Sequence, residues 1–338
     1  MIHLESAVAE SAVGGGGSGN HRPERGAPMP KATSKAYVFT RHGGPEVETF
    51  ADRPTPSPGP GQLLVAVRAA GVNPVDWKLR GGYRRPGSPP ASLPETLGSE
   101  AAGVVEEIGA GVEGFAVGDA VFGSTLTGGY AEYTLLPVAI TAHKPDALSF
   151  ADAAVLPVAA ATAYDAVRQA DLPPGATLLI TGAGGGVGVA AVQLARGSGL
   201  RVIGTASAGK KEFVESLGAV HVPPGPDLAA RVRAVAPDGV DAVLDLVGGD
   251  TLRAAAELLV DRTKLFSVAD KATVPQLGGA VVVRQRTAAV LDKVAKLVVS
   301  GALRPFVTRT FPLERADEAL RAVEAGHVQG KIVIEVGA

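Results

Sequence analysis

The stretch LLITGAGGGVGVAAVQLAR, residues 178 to 196, sets five glycines between two apolar runs. A linker is polar on its flanks, whereas both flanks here carry residues that seek a core. The order is strand (LLIT), glycine turn, then a helix from Gly186, the context that separates a dinucleotide fingerprint from a flexible hinge. Gly182, Gly185 and Gly188 follow GxxGxxG spacing. In this reading Gly182 makes the tight turn, Gly185 lets the backbone approach a pyrophosphate, and Gly188 allows close packing of helix on strand. Gly186 and Val187 open the helix, whose free N–H groups and positive dipole end face the phosphates. The alternative is a glycine-rich packing turn with no ligand.

Downstream, apolar strands alternate with helical stretches: RVIGTA, KKEFVESLGA, HVPP, LAARVRAVAP, VDAVLDLVG, TLRAAAELL, TKLFSVA. This predicts a parallel sheet with helices on both faces, an α/β fold. The type of dinucleotide is read at the end of the second strand, where an Asp or Glu binds the ribose hydroxyls of NAD. RVIGTASAGKK has no acid between Arg201 and Lys211. Ser207, Lys210 and Lys211 offer a hydroxyl and positive charge instead, which suits the extra 2′-phosphate of NADPH. Alternatively, the two lysines open the next helix as a solvated face.

Upstream, short β-forming runs (SKAYVFT, QLLVAVRAAGV, AAGVVEEIGAGV, GDAVFG, GYAEYTLLP) punctuated by Gly and Pro predict a small barrel. SFADAAVLPVAAATAYDAVRQA reads as one helix opened by Ser149, with Asp152 three residues on. The last segment, from Pro305, holds strand, helix, turn and strand, and is expected to return to the first domain.

At 338 residues the chain suggests two domains. Its formal net charge of −2, without long charged runs, gives no support to binding of nucleic acid or an anionic membrane. No run reaches the roughly 18 apolar residues of a membrane span. Residues 1 to about 32, rich in Gly, Ser, Pro and acids, are expected to be a disordered tail rather than a secretory signal. The only methionines are Met1 and Met29, so the tail could reflect the choice of start site, and a cytoplasmic location is the default expectation.

A set of segments in fixed order resembles the medium-chain dehydrogenase/reductase superfamily, specifically its zinc-free quinone oxidoreductase branch related to zeta-crystallin. These are GVNPVDWKLRGG (71 to 82), LGSEAAGVVEEIGAGV (97 to 112), GDAVFG (118 to 123), GGYAEY (128 to 133), AATAY (160 to 164), TGAGGGVG (181 to 188), VDAVLDLVGG (240 to 249) and HVQGKIVIEV (327 to 336). The resemblance implies a GroES-like β-barrel catalytic domain at 33–156 and 303–338, a Rossmann doubly wound parallel sheet binding NADPH at 157–302, a cleft between them, and a homodimer. Zinc-dependent members place a Cys in the segment matching Gly71 to Asp76 and a His before the position of Glu100. This chain has no cysteine, Ser99 precedes Glu100, and its six histidines (His3, His21, His42, His143, His221, His327) are scattered, so no metal is expected.

Without a Lewis acid the hydride acceptor must stabilise its own charge, as a quinone or an α,β-unsaturated ketone does. The resemblance puts Asn73 near the nicotinamide and the substrate oxygen. The residues also allow a plainer role for Asn73, as a helix cap followed by Pro74 and an acid at Asp76. Lys78 matches an NPVDxK variant seen in plant-type enone reductases and is a candidate to stabilise an enolate or give a proton. Tyr83, the third catalytic candidate, is expected with Arg84 and Arg85 at the entrance, the alternative being a surface role. The resemblance implies that Thr162 lies beside the nicotinamide, that Leu246, Val247, Gly248, Phe266, Ser267 and Val268, at the ends of later strands, flank the cofactor, and that Lys331 reaches the cleft. One departure is HVPPGPD, which lacks the Tyr the family often carries near the cofactor ribose. The rival functions are an enoyl-thioester reductase of a biosynthetic pathway and a non-catalytic, crystallin-like NADPH-binding protein.

Overall fold

A computed structural model describes residues 32–84, 87 and 92–337. The expected tail lies outside them except for Ala32, as does Arg85. The strands of the first part are β1 (Thr33–Phe39), β2 (Glu48–Pro54), β3 (Gln62–Val72), β4 (Glu95–Thr96), β5 (Glu100–Ile108), β6 (Ala120–Ser124), β7 (Tyr133–Pro137) and β8 (Thr141–His143). They are followed by β9 (Thr177–Ile180), β10 (Arg201–Thr205), β11 (Val220–Val222), β12 (Ala242–Asp245), β13 (Leu265–Ser267) and β14 (Ala280–Val281), and then by β15 (Val307–Pro312) and β16 (Lys331–Glu335).

Strands β9 to β14 form one sheet, parallel throughout, in the order β11-β10-β9-β12-β13-β14. The direction of winding reverses between β9 and β12, and open α/β sheets bind ligands in the crevice at such a switch point. The glycine turn follows β9 immediately. Strand β9 is buried along its whole length, because helices cover both faces.

The barrel strands β15-β16-β3-β5-β6-β8 form a second sheet, with β7 also paired to β3. Strand β16 runs antiparallel to β3, with Ile332 opposite Val72, so the end of the chain lies beside Asn73. The last segment therefore pairs with strands of the first part. A smaller sheet, β2-β1-β4, packs at the side.

Among the described residues the helices are α1 (Pro74–Arg80), α2 (Phe150–Ala154), α3 (Ala161–Ala170), α4 (Gly186–Gly197), α5 (Lys211–Ser216), α6 (Leu228–Val235), α7 (Gly249–Ala256), α8 (Thr273–Gln276), α9 (Ala288–Val299) and α10 (Ala316–Glu324). The single helix expected from Ser149 is a correction. Ser149 does cap α2, accepting from the Asp152 N–H at 3.0 Å, but a π-turn, Leu156–Ala160, separates α2 from α3. Pro157 is the cause: it has no N–H to give, and its ring crowds the preceding turn. One apolar cluster runs from Ala69, Ala102 and Phe122 in the barrel through Val155 and Leu156 to Leu178, Ile180 and Ala190, so the two sheets share a continuous core.

Candidate active site

The glycine turn is shaped by close approach. Gly182 has φ +70°, a left-handed conformation that favours glycine. A side chain at Gly188 would put its Cβ 2.3 Å from the Gly182 carbonyl oxygen, so helix α4 can lie this close to the turn only with glycine there. Gly185 caps α4 without a side-chain hydrogen bond and forms an isolated parallel bridge with Gly330, at the helix N-terminus where an anion binds. The half-buried Val187 packs against the shared core. The cradle fits a pyrophosphate.

Two other glycines of the turn have a different cause. A Cβ on Gly184 would meet Lys210 Cδ at 2.7 Å, and one on Gly186 would meet Lys331 Cδ at 2.6 Å. They make room for lysine stems arriving from elsewhere in the chain. Lys210 crosses the turn and donates to the Val328 carbonyl at 2.7 Å, and burial pushes its ammonium pKa down. Ser207 is exposed at the exit of β10. Lys211 is exposed as well and lies 4.0 Å from Glu215 one helical turn on.

The ends of β9, β12 and β13 meet on Asp245, which is fully buried. Its carboxylate accepts from Thr181 Oγ1 at 2.7 Å, Ser267 Oγ at 2.6 Å, and the N–H groups of Val247 and Gly248 at 3.2 and 3.0 Å. Leu246 donates its N–H to Thr181 Oγ1, and Val268 donates to the Asp245 carbonyl. The Ser267 hydroxyl is thus spent inside the protein. The residues expected beside the cofactor are gathered along this rim, with Val247 the most exposed of them and Phe266 buried below.

On the barrel side Asn73 caps α1, as the cap reading predicts, through its backbone: its N–H donates to Asp76 Oδ2 at 2.9 Å. Asp76 also accepts from Ser99 Oγ at 2.6 Å and Tyr130 Oη at 2.7 Å. Burial pushes the Asp76 carboxyl pKa up, and these donors pull against it. The Asn73 side chain faces elsewhere. Its Nδ2 donates to Glu100 Oε1 at 2.8 Å and to the Gly71 carbonyl at 3.3 Å, while its Oδ1 accepts from Lys331 Nζ at 2.6 Å. Lys331 completes its set of donors on Glu100 Oε1 and the Val72 carbonyl, each at 3.0 Å. Only the Lys331 stem lies on the glycine turn.

Thr162, buried at the start of α3, donates back to the Val158 carbonyl at 2.5 Å. The π-turn before it is held from two sides. Val158 N–H donates to Glu100 Oε2 at 2.7 Å, and Arg284 donates to the Pro157 carbonyl at 2.6 Å. Lys78 is half-buried on α1 with Nζ 5.6 Å from the centre of the Trp77 ring. Tyr83 is partly exposed, and its hydroxyl lies 3.4 Å from Lys271 Nζ, a contact between the segment after α1 and the loop after β13. Among the described residues no three His, Cys, Asp or Glu are grouped so as to hold a metal ion.

Asp245 escapes the sequence reading, and Asp76 and Glu100 enter it only as a helix-start acid and as a family position; that all three are buried becomes visible only when their distant donors are in place.

A doubly wound sheet with a glycine cradle at its switch point, joined to a barrel that closes over it, defines a two-domain dehydrogenase or reductase of the nucleotide-binding type. The model of the alcohol dehydrogenase GroES-like domain matches residues 59–146, and that of a zinc-binding dehydrogenase domain matches residues 217–334. An NADPH-dependent alkenal/one oxidoreductase of Arabidopsis thaliana chloroplasts is 32% identical, covering 89% of this chain and 79% of its own. A quinone oxidoreductase of Pongo abelii is 31% identical, covering 89% and 97%. The solved structure of the quinone oxidoreductase from Coxiella burnetii superposes with a TM-score of 0.81 at 33% identity, over 90% of this chain and 100% of that one. The chain belongs to the medium-chain dehydrogenase/reductase superfamily, in its quinone oxidoreductase-like branch.

Proposed function

We propose that this protein is a zinc-independent reductase that uses NADPH to reduce quinones or α,β-unsaturated carbonyl compounds. The observation that carries the reading is the pairing, at one switch point, of the glycine cradle after β9 with a β10 exit that has no acid and carries Lys210. The names of the relatives, for NADPH, alkenals and quinones, point the same way.

With its pyrophosphate held in this cradle, NADPH would supply a hydride to an organic acceptor. The chain itself has to orient that acceptor and stabilise the oxygen that gains charge. Both polar ends of Asn73 and the Thr162 hydroxyl are engaged within the protein, so these residues would shape the nicotinamide site and not donate to the acceptor. Lys78 is the donor assigned to the developing oxyanion. Its ammonium gives up a proton to the product oxygen and regains one from water. Tyr83 and Lys271 narrow the entrance from the two sides of the cleft. The domain assignment goes with this reading: 33–156 and 303–338 bind the acceptor, and 157–302 binds the cofactor. The end strand β14, followed by the exposed Val283, is a suitable edge for a homodimer.

The test mixes purified protein with NADPH and a panel of quinones and enones and follows the loss of NADPH absorbance. Turnover of at least one acceptor, at a rate unchanged by a chelator, is expected. No turnover with any acceptor together with no NADPH binding by calorimetry overturns the reading, and inhibition by the chelator overturns zinc independence.

A further inference from the structure

We infer that Glu100 is the positioning residue of the hydride-transfer site, an inference that rests on the function proposed above. Glu100 has no exposed surface and cannot touch a substrate. Its carboxylate nevertheless joins the three segments that frame the nicotinamide side of the cleft. Oε1 takes Asn73 Nδ2 at the start of α1 and Lys331 Nζ at the start of β16, and Oε2 takes the Val158 N–H in the π-turn that leads into Thr162. The site borders the cofactor cradle directly: the Gly330 N–H donates to the Gly184 carbonyl at 3.1 Å, and the Lys331 stem lies against Gly186. Space for the carboxylate is reserved by Gly71, where a Cβ would fall 2.1 Å from Glu100 Oε1.

Stability alone is a poor reason to bury this pair. Taking a carboxylate and an ammonium out of water costs about what their attraction returns, and apolar replacements of similar volume are often neutral or better. Orientation is a better reason. The two ends of an asparagine amide have almost the same shape and differ only in that one donates and the other accepts. With a carboxylate on one side and an ammonium on the other, only one orientation of Asn73 is satisfied; the flipped amide would set NH₂ against NH₃⁺ and oxygen against oxygen. Glu100 and Lys331 together therefore fix which way Asn73 faces. The second carboxylate oxygen ties that orientation to the turn carrying Thr162.

The test compares the full-length wild type with Glu100→Gln, Lys331→Met and the double variant, measuring melting temperature, NADPH dissociation constant, and kcat and KM for a reducible quinone. Glu100→Gln is expected to lower kcat at least tenfold with less than a threefold change in the NADPH dissociation constant. The double variant, which buries no unpaired charge, is expected to regain the wild-type melting temperature to within a few degrees while kcat stays low. Recovery of kcat together with melting temperature would reduce Glu100 to a structural role, and an unchanged kcat in Glu100→Gln would overturn the inference outright. Should Glu100→Gln fail to fold, Glu100→Asp serves: it keeps the charge but is too short to reach Lys331 and Val158 together. A wild-type kcat in that variant would also overturn the inference. Wild-type turnover tests the proposed function separately. If the wild type binds NADPH but reduces nothing, that function falls, and Glu100 is judged on the fluorescence of bound NADPH, where identical spectra for wild type and Glu100→Gln count against it.

Discussion

Two of the buried acids, Asp245 in the parallel sheet and Glu100 in the barrel, each gather several donors, and they are satisfied in opposite ways. Asp245 receives only neutral donors, two hydroxyls and two backbone N–H groups, all from strand ends of one sheet or the turn beside it. Glu100 receives an ammonium, an amide and a backbone N–H from segments far apart in sequence, Lys331 lying 231 residues away. A hub of neutral donors degrades by degrees, since removing one hydroxyl leaves three other bonds to the carboxylate. An ion-paired hub fails at once, because removing the cation leaves a buried charge with no counter-charge.

The largest expected effect follows from that contrast. Lys331→Met should destabilise the fold by about 3–5 kcal/mol, the range for breaking a buried pair from one side. Ser267→Ala at the other hub should cost about 1–3 kcal/mol. Urea unfolding of the two variants at neutral pH checks the order, and equal losses would erase the distinction between the hubs. Next in size is cofactor binding. Lys210→Ala should weaken NADPH binding by about 1.5–3 kcal/mol, the size of hydrogen bonds to charged groups, and leave NADH nearly unchanged. Calorimetry with both cofactors decides this, and parallel losses would show that Lys210 does not read the phosphate. The pH dependence sharpens the same point. Burial lowers the pKa of Lys210 from 10.5, so its charge is lost at a lower pH than that of an ordinary lysine. The preference for NADPH over NADH should therefore shrink as pH rises through the alkaline range below 10.5, and a ratio that stays flat there would exclude Lys210 as its source. The smallest effect belongs to Lys211. It is exposed and, among the described residues, forms its ion pair with Glu215 on its own helix, so Lys211→Ala should change stability by less than about 0.5 kcal/mol, as urea melts would register.

The cofactor half was legible because its signals are contiguous. Gly182, Gly185 and Gly188 lie within seven residues of one another, and the missing acid after β10 is visible in the next strand. The same contiguity hid a second cause. Gly184 and Gly186 belong to the turn by position, but the atoms that require glycine there are Lys210 Cδ and Lys331 Cδ, which no local pattern reveals. At Asn73 the cap reading holds through the backbone. The cap it forms uses its backbone and Asp76, which leaves the side chain for Glu100 and Lys331. Glu100 itself, at the start of a strand in LGSEAAG, looks like an acid destined for solvent, since its cation comes from the other end of the fold. The interruption of the helix after Ser149 could have been read, because Pro157 stands where a helix interior does not tolerate it.

The placement of β16 between β3 and β15 has a consequence for how the protein is made. Strands β9 to β14 leave the ribosome in one uninterrupted block, so the nucleotide-binding sheet can assemble while translation continues. The barrel sheet lacks an inner strand, and Glu100 lacks its cation, until residues 331 to 335 have been synthesised. The half that emerges first is thus the half that is finished last, and the same final residues close on the glycine turn, where the Gly330 N–H reaches the Gly184 carbonyl.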